Sequence, residues 1–465
     1  MKDSHSPERT LTTTNPATEE VIETYQMMSN DEMVAALEAC HESFTDWRLK
    51  SHKERAEVLK AIGQKLRDRK EEFARLMTRE MGKRLTDSHD EIDLCAAICD
   101  WTAENGPDVL ADEERSLQDG RRGVITKAPI GVIYGIQPWN FPAYQAVRYA
   151  IANLMAGNGV VLKHAEICTG SGLMLRDIFE EAGLPKNLFT VMLIDHDQSD
   201  ELIGHKLVRG VTMTGSAKSG SIIAAKAGEH LKKTVMELGS NDAYLVLEDA
   251  DIDLAVKTCV AGRIYNNGQT CVNAKRFVVT DKVYDAFVHA YVKAMADVTL
   301  GEPTAEDTDL GPMARKDLRE TLHDQVEKSV AKGARIAAGG KLPEGKGYYY
   351  PATVLTDVEP GQPAYDEELF GPVASVIRAK DDEDAMRIAN DSRFGLGGGI
   401  FSRDEDRALE LAKTRFDTGM VFINQFNLAT PEMPFGGVKD SGYGREHGGF
   451  GMMEFINAKA VTLPG

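Results

Sequence analysis

The spacing of apolar side chains divides the chain into a helical opening third and a longer remainder built from short apolar runs. Apolar residues recur at helical spacing in two early segments, at Met33, Val34, Leu37 and Cys40 and then at Leu59, Ile62 and Leu66. Asn30 and Asp31 suit the N-cap of the first helix, and Gly82 suits the end of the later helical region. The pattern predicts amphipathic helices whose apolar stripes pack against a core.

From residue 131 onward the apolar residues form short continuous runs separated by amphipathic segments. The runs cover residues 131–136, 159–162, 188–193, 211–214 and 243–247. Strands buried on both faces of a parallel sheet show this sequence pattern, and the segments 171–181 and 217–229 have the length of crossover helices. The sequence therefore predicts a doubly wound α/β sheet.

A second alternating region begins after Gly239. Its predicted elements are strands near 277–279, 374–377 and 420–424 and a helix over 324–333. This arrangement indicates a second α/β domain with its own sheet.

Net charge argues against polyanionic partners. The 465 residues include 54 Lys and Arg against 73 Asp and Glu, a formal charge of −19 that repels nucleic acids and anionic membranes. The uncharged window 128–147 contains three prolines and does not suit a membrane helix. The charged N-terminus lacks the apolar core of a signal peptide, so we expect a cytoplasmic protein.

The cysteines favour thiol chemistry over structural bonds. The six lie at positions 40, 95, 99, 168, 259 and 271, without the two-residue spacing of zinc or thioredoxin sites. We expect no metal site and no disulfide framework in a large cytosolic chain.

Cys271 is the candidate nucleophile, because a polar, glycine-containing turn precedes it. A structural thiol would instead lie inside an apolar run. An ordinary thiol is only a few per cent ionised at neutral pH, so such a site needs helpers. Glu237, between Met236 and Leu238, is a candidate base, and Asn140, between two prolines, is a candidate oxyanion donor. A capping or salt-bridged glutamate and a turn-stabilising amide are the alternatives.

Two segments suit a dinucleotide. The loop 214–220 follows a strand and opens a helix, so its amides can hold a phosphate, although it is not a G-x-G-x-x-G sequence. Lys163 and Glu166 follow the 159–162 strand, where Rossmann-like domains bind the adenosine ribose. A solvated ion pair at the strand end is the alternative.

Seven motifs in order resemble the aldehyde dehydrogenase superfamily. They are P-W-N-F-P at 138–142, K-H-A-E at 163–166, M-T-G-S at 213–216, M-E-L-G at 236–239, G-Q-T-C at 268–271, E-E-L-F-G-P-V at 367–373 and P-F-G-G-V-K-D-S-G-Y-G-R-E at 434–446. The resemblance spans roughly residues 15 to 460.

This resemblance implies NAD(P)-dependent oxidation of an aldehyde through a thioester on Cys271. Asn140 and the Cys271 amide would form the oxyanion hole, and Glu237 would activate the water that hydrolyses the thioester. Members that transfer the acyl group to coenzyme A or phosphate tend to lack this glutamate, so the resemblance implies release of a free acid.

The implied cofactor site comprises Trp139, Lys163, Glu166, Gly215, Ser216, Glu368 and Phe370. Because the Glu166 carboxylate accepts hydrogen bonds from a free 2′-hydroxyl and repels a 2′-phosphate, we expect NAD to be preferred, with NADP possible.

In detail the sequence resembles compact bacterial succinate-semialdehyde dehydrogenases, in G-P-M-A-R at 311–315 and V-N-A-K-R-F at 272–277. The resemblance implies that Arg148 and Thr430 bind the substrate carboxylate. Tyr265 stands where larger members carry a second arginine, and Asn273 replaces the redox-switch cysteine of some relatives.

Two alternatives remain open. A broad-specificity aliphatic or aromatic aldehyde dehydrogenase would use Arg148 only to pin the 142–156 segment at the domain interface. A non-catalytic binding or structural protein on this scaffold is the alternative from another class.

The fold implied by the resemblance is α/β, with a Rossmann-type cofactor domain, an α/β catalytic domain and a small β extension for assembly. The expected boundaries are 1–112 with 130–238, then 239–440, and 113–129 with 441–465 for the extension. Since an exposed strand edge is a liability in a monomer, we expect a homodimer or homotetramer.

Overall fold

A computed structural model describes residues 9–118 and 120–464 of the chain. The first eight residues, on which the expected absence of a signal peptide rests, lie outside these ranges, as do Asp119 and Gly465 within the expected extension. Within the described ranges, no helix has the length and apolar character needed to cross a membrane.

Helices cover most of the first third and alternate with strands thereafter. They are α1 (Asn30–Trp47), α2 (His52–Asp68), α3 (Lys70–Met81), α4 (Leu85–Val109), α5 (Tyr144–Ala156), α6 (Thr169–Glu181), α7 (His196–Gly204), α8 (Ala217–Glu229), α9 (Ile252–Ile264), α10 (Asp281–Ala296), α11 (Lys316–Ala331), α12 (Pro363–Asp366), α13 (Asp382–Asn390), α14 (Glu405–Thr414) and α15 (Phe450–Glu454). Short 3-10 turns span Glu166–Cys168 and Tyr265–Gly268.

The ends of the early helices follow local capping chemistry. The N-cap of α1 is Ser29, one residue before the predicted Asn30 or Asp31. Its hydroxyl accepts the Glu32 N–H at 3.2 Å while the Glu32 carboxylate accepts the Ser29 N–H at 2.8 Å. This reciprocal pair satisfies two free donors at once, which Asn30 or Asp31 alone cannot do. The prediction for Gly82 is confirmed, because it ends α3 in the left-handed conformation at φ 82°.

The strands form three main sheets and two small pairs. They are β1 (Thr10–Thr14), β2 (Val21–Gln26), β3 (Glu113–Ser116), β4 (Arg122–Pro129), β5 (Val132–Gln137), β6 (Gly159–His164), β7 (Phe189–Val191), β8 (Val208–Thr214), β9 (Lys233–Glu237), β10 (Ala243–Val246), β11 (Arg276–Thr280), β12 (Arg335–Ala338), β13 (Thr353–Thr356), β14 (Val373–Ala379), β15 (Phe394–Gly395), β16 (Gly398–Phe401), β17 (Phe422–Ile423), β18 (Val438–Lys439), β19 (Gly442–Tyr443) and β20 (Ile456–Leu463).

The first large sheet has the order β19-β9-β8-β5-β6-β7, and its strands are parallel except for β19. Four of the predicted runs are its strands, so the predicted doubly wound sheet is confirmed. The fifth run, 243–247, belongs instead to the second sheet as β10. An apolar run shows that a strand is buried but not which sheet it joins, because pairing depends on distant partners.

The second sheet has the order β12-β13-β14-β11-β10-β16-β17 and is parallel except for β12. Apolar residues of β10, β11 and β14 pack into separate cores on its two faces. The helix predicted over 324–333 is α11, which begins eight residues earlier at Lys316. Its first two turns are mostly polar, so the apolar spacing did not reveal them.

The third sheet is a small antiparallel ribbon in which β4 lies between β20 and β3. It contains the two segments expected to form the extension. The structure differs at one expected boundary, because β19 lies within 441–465 yet pairs with β9 at the edge of the first sheet. The C-terminal segment therefore contributes to two sheets.

Candidate active site

A cavity of about 240 Å³ lies between the two large sheets. Its lining residues are Pro138, Trp139, Asn140, Gln145, Thr214, Gly215, Ser216, Leu238, Gly239, Cys271, Leu318, Glu368 and Phe370. A larger open groove of about 870 Å³ between α2 and α4 contains none of the predicted site residues. The smaller cavity is therefore the candidate active site, since chemically useful side chains converge there.

The turn before Cys271 is a buried run of left-handed residues. Asn266, Asn267 and Gly268 have φ values of 53°, 55° and 73°. Asn267 donates to the carbonyls of Gly82 and Pro312, at 2.9 Å each. A side chain at Gly268 would collide with the Gly371 backbone. Such strained conformations persist only where the surroundings fix them, so this turn is held rigidly.

The Cys271 side chain is partly exposed to the cavity, whereas the other five cysteines are buried. Burial of the surrounding turn raises the pKa of the Cys271 thiol above its usual value, and the charges of Lys275 and Arg148 oppose that rise. Cys271 is therefore the accessible thiol among the cysteines, and its ionisation depends on neighbouring charges.

The structure brings Asn140 to the same cavity as Cys271. The Asn140 amide is buried and donates to the Gln269 carbonyl at 3.1 Å, two residues before Cys271. The Asn140 carbonyl accepts from the Asn266 amide at 2.8 Å. Because an amide nitrogen carries two protons, one remains for a ligand beside the thiol.

A buried ion pair supports the Asn140 segment from α4, and the sequence analysis missed it. Glu91 accepts the N–H groups of Ala143 and Tyr144 at 2.7 and 2.8 Å. Lys83 lies 2.5 Å from the other Glu91 oxygen and 4.1 Å from the centre of the Phe141 ring. This pair caps the start of α5 and so fixes the turn that carries Asn140.

Glu237 ends β9 but its side chain does not line the cavity, although Leu238 and Gly239 do. The carboxyl group is buried against Gly436, and neither oxygen has a hydrogen-bond partner among the described residues. Burial raises the pKa of Glu237 well above its usual value, and the Glu446 charge adds to this effect while Arg148 opposes it. The group is thus a buried carboxyl of raised pKa, as a general base requires.

The predicted phosphate and ribose groups share one edge of the first sheet. Lys163 is at the end of β6, and Gly215 and Ser216 follow β8, where the Ser216 hydroxyl caps α8. Lys163 is buried; burial lowers the pKa of its ammonium, and the Glu166 charge opposes that shift. Glu166 is exposed in the turn that follows β6. A buried cation on the same sheet edge as a helix N-terminus fits an anionic, hydroxyl-bearing cofactor at the end of parallel strands.

The opposite wall of the cavity carries Glu368 and Phe370. The Phe370 ring meets the Trp139 ring edge-on, with centres 5.8 Å apart. The Glu368 carboxylate accepts the Ser240 N–H at 3.1 Å, and it approaches Gly239 so closely that a side chain there would collide with it. A carboxylate and an aromatic ring on one cavity wall suit the ribose and nicotinamide of NAD(P).

Arg148 does not line the cavity. It is buried, pairs with Glu446, and donates to the Thr214 hydroxyl at 3.0 Å. Its guanidinium carbon lies 4.6 Å from the Phe435 ring centre and 5.1 Å from that of Tyr144. The structure thus shows the pinning contacts of the alternative interpretation, while Nη1 remains buried without a hydrogen-bond partner among the described residues.

Thr430 also lies outside the cavity lining. It follows Leu428 and Ala429, which pack in an apolar cluster with Cys271. Tyr265 is nearby and its ring stacks on Phe141, with centres 6.3 Å apart. An apolar surface therefore adjoins the thiol on this side.

Several residues of the candidate active site were not predicted from the sequence. Gln145, Thr214 and Leu318 line the cavity, and Lys275 and Glu446 contact predicted residues. Lys275 had a local signal, since it follows Cys271 by four residues within V-N-A-K-R-F. Glu446 ends the seventh motif, but it lies 298 residues from Arg148, so no local pattern indicated that the two would pair.

The model of the aldehyde dehydrogenase family matches residues 2–461. A protein of Escherichia coli (strain K12) named as an NAD(P)+ succinate semialdehyde dehydrogenase is 44% identical over 447 residues, 96% of each chain. A Deinococcus radiodurans protein named succinate-semialdehyde dehydrogenase, with NADP(+), is 42% identical over 458 residues, 98% of this chain and 96% of that one.

Among solved structures, succinic semialdehyde dehydrogenase from Streptococcus pyogenes in complex with NADP+ has a TM-score of 0.95 and 37% identity. The alignment covers 98% of this chain and 100% of that chain. The likeness therefore includes both large sheets and the ribbon.

Proposed function

The chain belongs to the aldehyde dehydrogenase family, and from that premise we propose that it oxidises succinate semialdehyde to succinate with NAD(P)+. The observation that carries the proposal is the convergence of the Cys271 thiol and the Asn140 amide on one cavity. The substrate is proposed from the relatives named for it, at 42% and 44% identity. A panel of aldehydes with and without a distal carboxylate, read at 340 nm with both cofactors, tests it.

The first half of the reaction uses Cys271 and Asn140. The thiolate adds to the aldehyde carbon, a carbon–sulfur bond forms, and the carbonyl oxygen gains the negative charge. The free Asn140 amide proton and the Cys271 N–H stabilise that charge. Trp139, Glu368 and Phe370 would hold the nicotinamide of NAD(P)+, which when bound would supply the hydride acceptor. Loss of hydride from the carbon bonded to sulfur leaves a thioester on Cys271.

The second half uses Glu237. Its carboxylate turns from the pocket beside Gly436 toward the thioester and removes a proton from water. The hydroxide adds to the acyl carbon, the carbon–sulfur bond breaks, and Cys271 leaves as thiolate with release of a free acid. Support comes from the two unpartnered oxygens and the raised pKa of Glu237.

We propose that the free Nη1 of Arg148 donates to the distal carboxylate, with Thr430 as a second donor. Arg148 is directly behind Thr214 in the cavity wall, so its charge is near the site although Glu446 partly compensates it. A charge-assisted bond made by a buried guanidinium discriminates strongly for a carboxylate.

Substituting Arg148→Met is expected to raise KM for succinate semialdehyde about tenfold to a hundredfold, because one charge-assisted bond is lost. KM for butanal, which lacks the carboxylate, should change less than threefold. Glu446→Gln is the matched control, since it breaks the same ion pair and keeps Arg148. Equal increases in KM for both aldehydes in both variants would support the pinning role and the broad-specificity alternative.

We further propose that NAD is preferred over NADP, because Glu166 presents a carboxylate near the expected position of the ribose. The relatives are named for NADP+ or NAD(P)+, and here the Arg315 guanidinium, which pairs with Asp317, also interacts with the Glu166 charge. Arg315 thus supplies a cation through which NADP can also be used.

The Glu166→Gln variant is expected to lower KM for NADP about tenfold, because it removes the repulsion of the 2′-phosphate. KM for NAD should stay the same or rise. Steady-state kinetics with each cofactor measures both, and Glu229→Gln controls for the change in net charge. A wild-type KM lower for NADP than for NAD would contradict the preference.

We propose a homodimer or homotetramer assembled through the three-stranded ribbon. Most of β20 is exposed, including Val461, and β20 pairs on one side only, with β4. A second copy could cover this edge. The cytoplasmic location expected from the sequence stays a prediction.

A further inference from the structure

A buried cation adjoins the nucleophile and has no part in the mechanism above. Lys275 immediately precedes β11 and its side chain is 1% exposed. Its ammonium donates to the Cys271 carbonyl and lies 3.2 Å from both the Ser240 hydroxyl and a Glu368 oxygen. One group thus contacts both the turn that carries the thiol and the cavity wall opposite.

The surrounding cluster is negatively charged without Lys275. The Ser240 hydroxyl oxygen lies 2.6 Å from an Asp242 oxygen and 2.6 Å from the Cys271 carbonyl oxygen. The buried Asp242 carboxylate also accepts the Gly397 N–H at 3.0 Å. Two carboxylates, from Glu368 and Asp242, therefore lie around one buried ammonium, where charge interactions are stronger than in bulk water.

The thiol itself experiences four charges. Lys275 and Arg148 favour its ionised form, while Glu368 and Asp242 oppose it, in addition to the opposing effect of burial. Arg148 is paired with Glu446, which weakens its effect. Lys275 is held against the Cys271 backbone, so its distance to the thiol is fixed by that turn.

We propose that Lys275 is a positioning residue that locks the Cys271 turn to Glu368 and stabilises the Cys271 thiolate. This inference deepens the proposed function, and rests on it only in taking Cys271 as the nucleophile. Without Lys275, two uncompensated carboxylates would disfavour the thiolate and loosen the turn.

Alkylation of the free enzyme tests this without aldehyde or cofactor. The rate of Cys271 modification by iodoacetamide is measured from pH 6 to 10, and peptide mass spectrometry locates the adduct. Because the other five cysteines are buried, the reaction reports Cys271. Because the assay contains no aldehyde, its result can contradict the role of Lys275 without bearing on the proposed substrate.

In Lys275→Met the alkylation profile should move to higher pH, with the rate at pH 7 about tenfold lower, equivalent to one pKa unit. Once displaced by one pH unit, the Lys275→Met profile should overlay the wild-type profile within twofold, since the thiolate's intrinsic reactivity is unchanged. Lys275→Arg should recover most of the rate. Lys282→Met, which removes an exposed lysine on α10, should match the wild type.

A Lys275→Met profile superimposed on the wild type overturns the proposal. If that variant does not fold, Lys275→Met is combined with Asp242→Asn, which restores the charge balance, and compared with Asp242→Asn alone. The double variant should again react more slowly at pH 7. Identical profiles in that pair also overturn the proposal.

Discussion

Replacing Cys271 with serine is expected to reduce aldehyde-dependent NADH or NADPH formation about a thousandfold or more. A serine hydroxyl in this site has no base within its turn and ionises far less readily than a thiol. Cofactor binding should persist, because the substitution leaves Trp139, Glu368 and Phe370 in place. Absorbance at 340 nm measures turnover, and quenching of tryptophan fluorescence measures cofactor binding.

The matched control is Cys95→Ala, which removes a buried thiol from α4. Its activity per folded molecule should remain within threefold of the wild type. If Cys271→Ser kept more than a tenth of the activity, the thioester mechanism would be wrong. The alternative of a non-catalytic protein on this scaffold would gain support if the wild type showed no turnover with any aldehyde of the panel.

Glu237→Gln is expected to stop the reaction after the redox step. Steady-state turnover should fall about a hundredfold to a thousandfold, the range for loss of a general base. A burst of about one reduced cofactor per site should remain, because acylation does not need the carboxylate. Intact-mass spectrometry during the burst should detect a succinyl group on Cys271. Loss of the burst together with turnover would show that Glu237 acts before the thioester forms.

Glu237 also sets the expected pH dependence of turnover. Glu237 must be ionised to accept a proton, and burial holds its pKa well above the usual value. Turnover limited by hydrolysis should therefore fall as pH decreases through this raised pKa. The residual turnover of Glu237→Gln should lack that limb, because glutamine does not titrate.

Local sequence was sufficient to predict the bounds of elements whose ends carry a capping residue. The helix predicted over 217–229 has those bounds in α8, because Ser216 caps it directly after a buried strand. By contrast, polar opening turns concealed the start of α11, and β19 is too short to show a period. Element identity was thus more predictable than element boundaries.

The site residues that belong to short sequence motifs were predictable. Cys271, Asn140, Ser216 and Glu368 line the cavity as the motifs imply. The ion pair of Arg148 with Glu446 was not predictable, because nothing in a local window specifies a partner 298 residues away. Such pairs arise from tertiary packing, and they decide whether a charge is available to a ligand.

The contact between Gly268 and the Gly371 backbone has a practical consequence for engineering. The close approach couples the position of the nucleophile to that of the neighbouring Glu368–Phe370 wall. Libraries that vary residues 266–268 should therefore mostly yield inactive protein. The loop 428–430 adjoins the thiol from the other side, where Leu428 and Ala429 make side-chain packing contacts. Randomising that loop is the route by which the range of accepted aldehydes could be widened without disturbing redox chemistry.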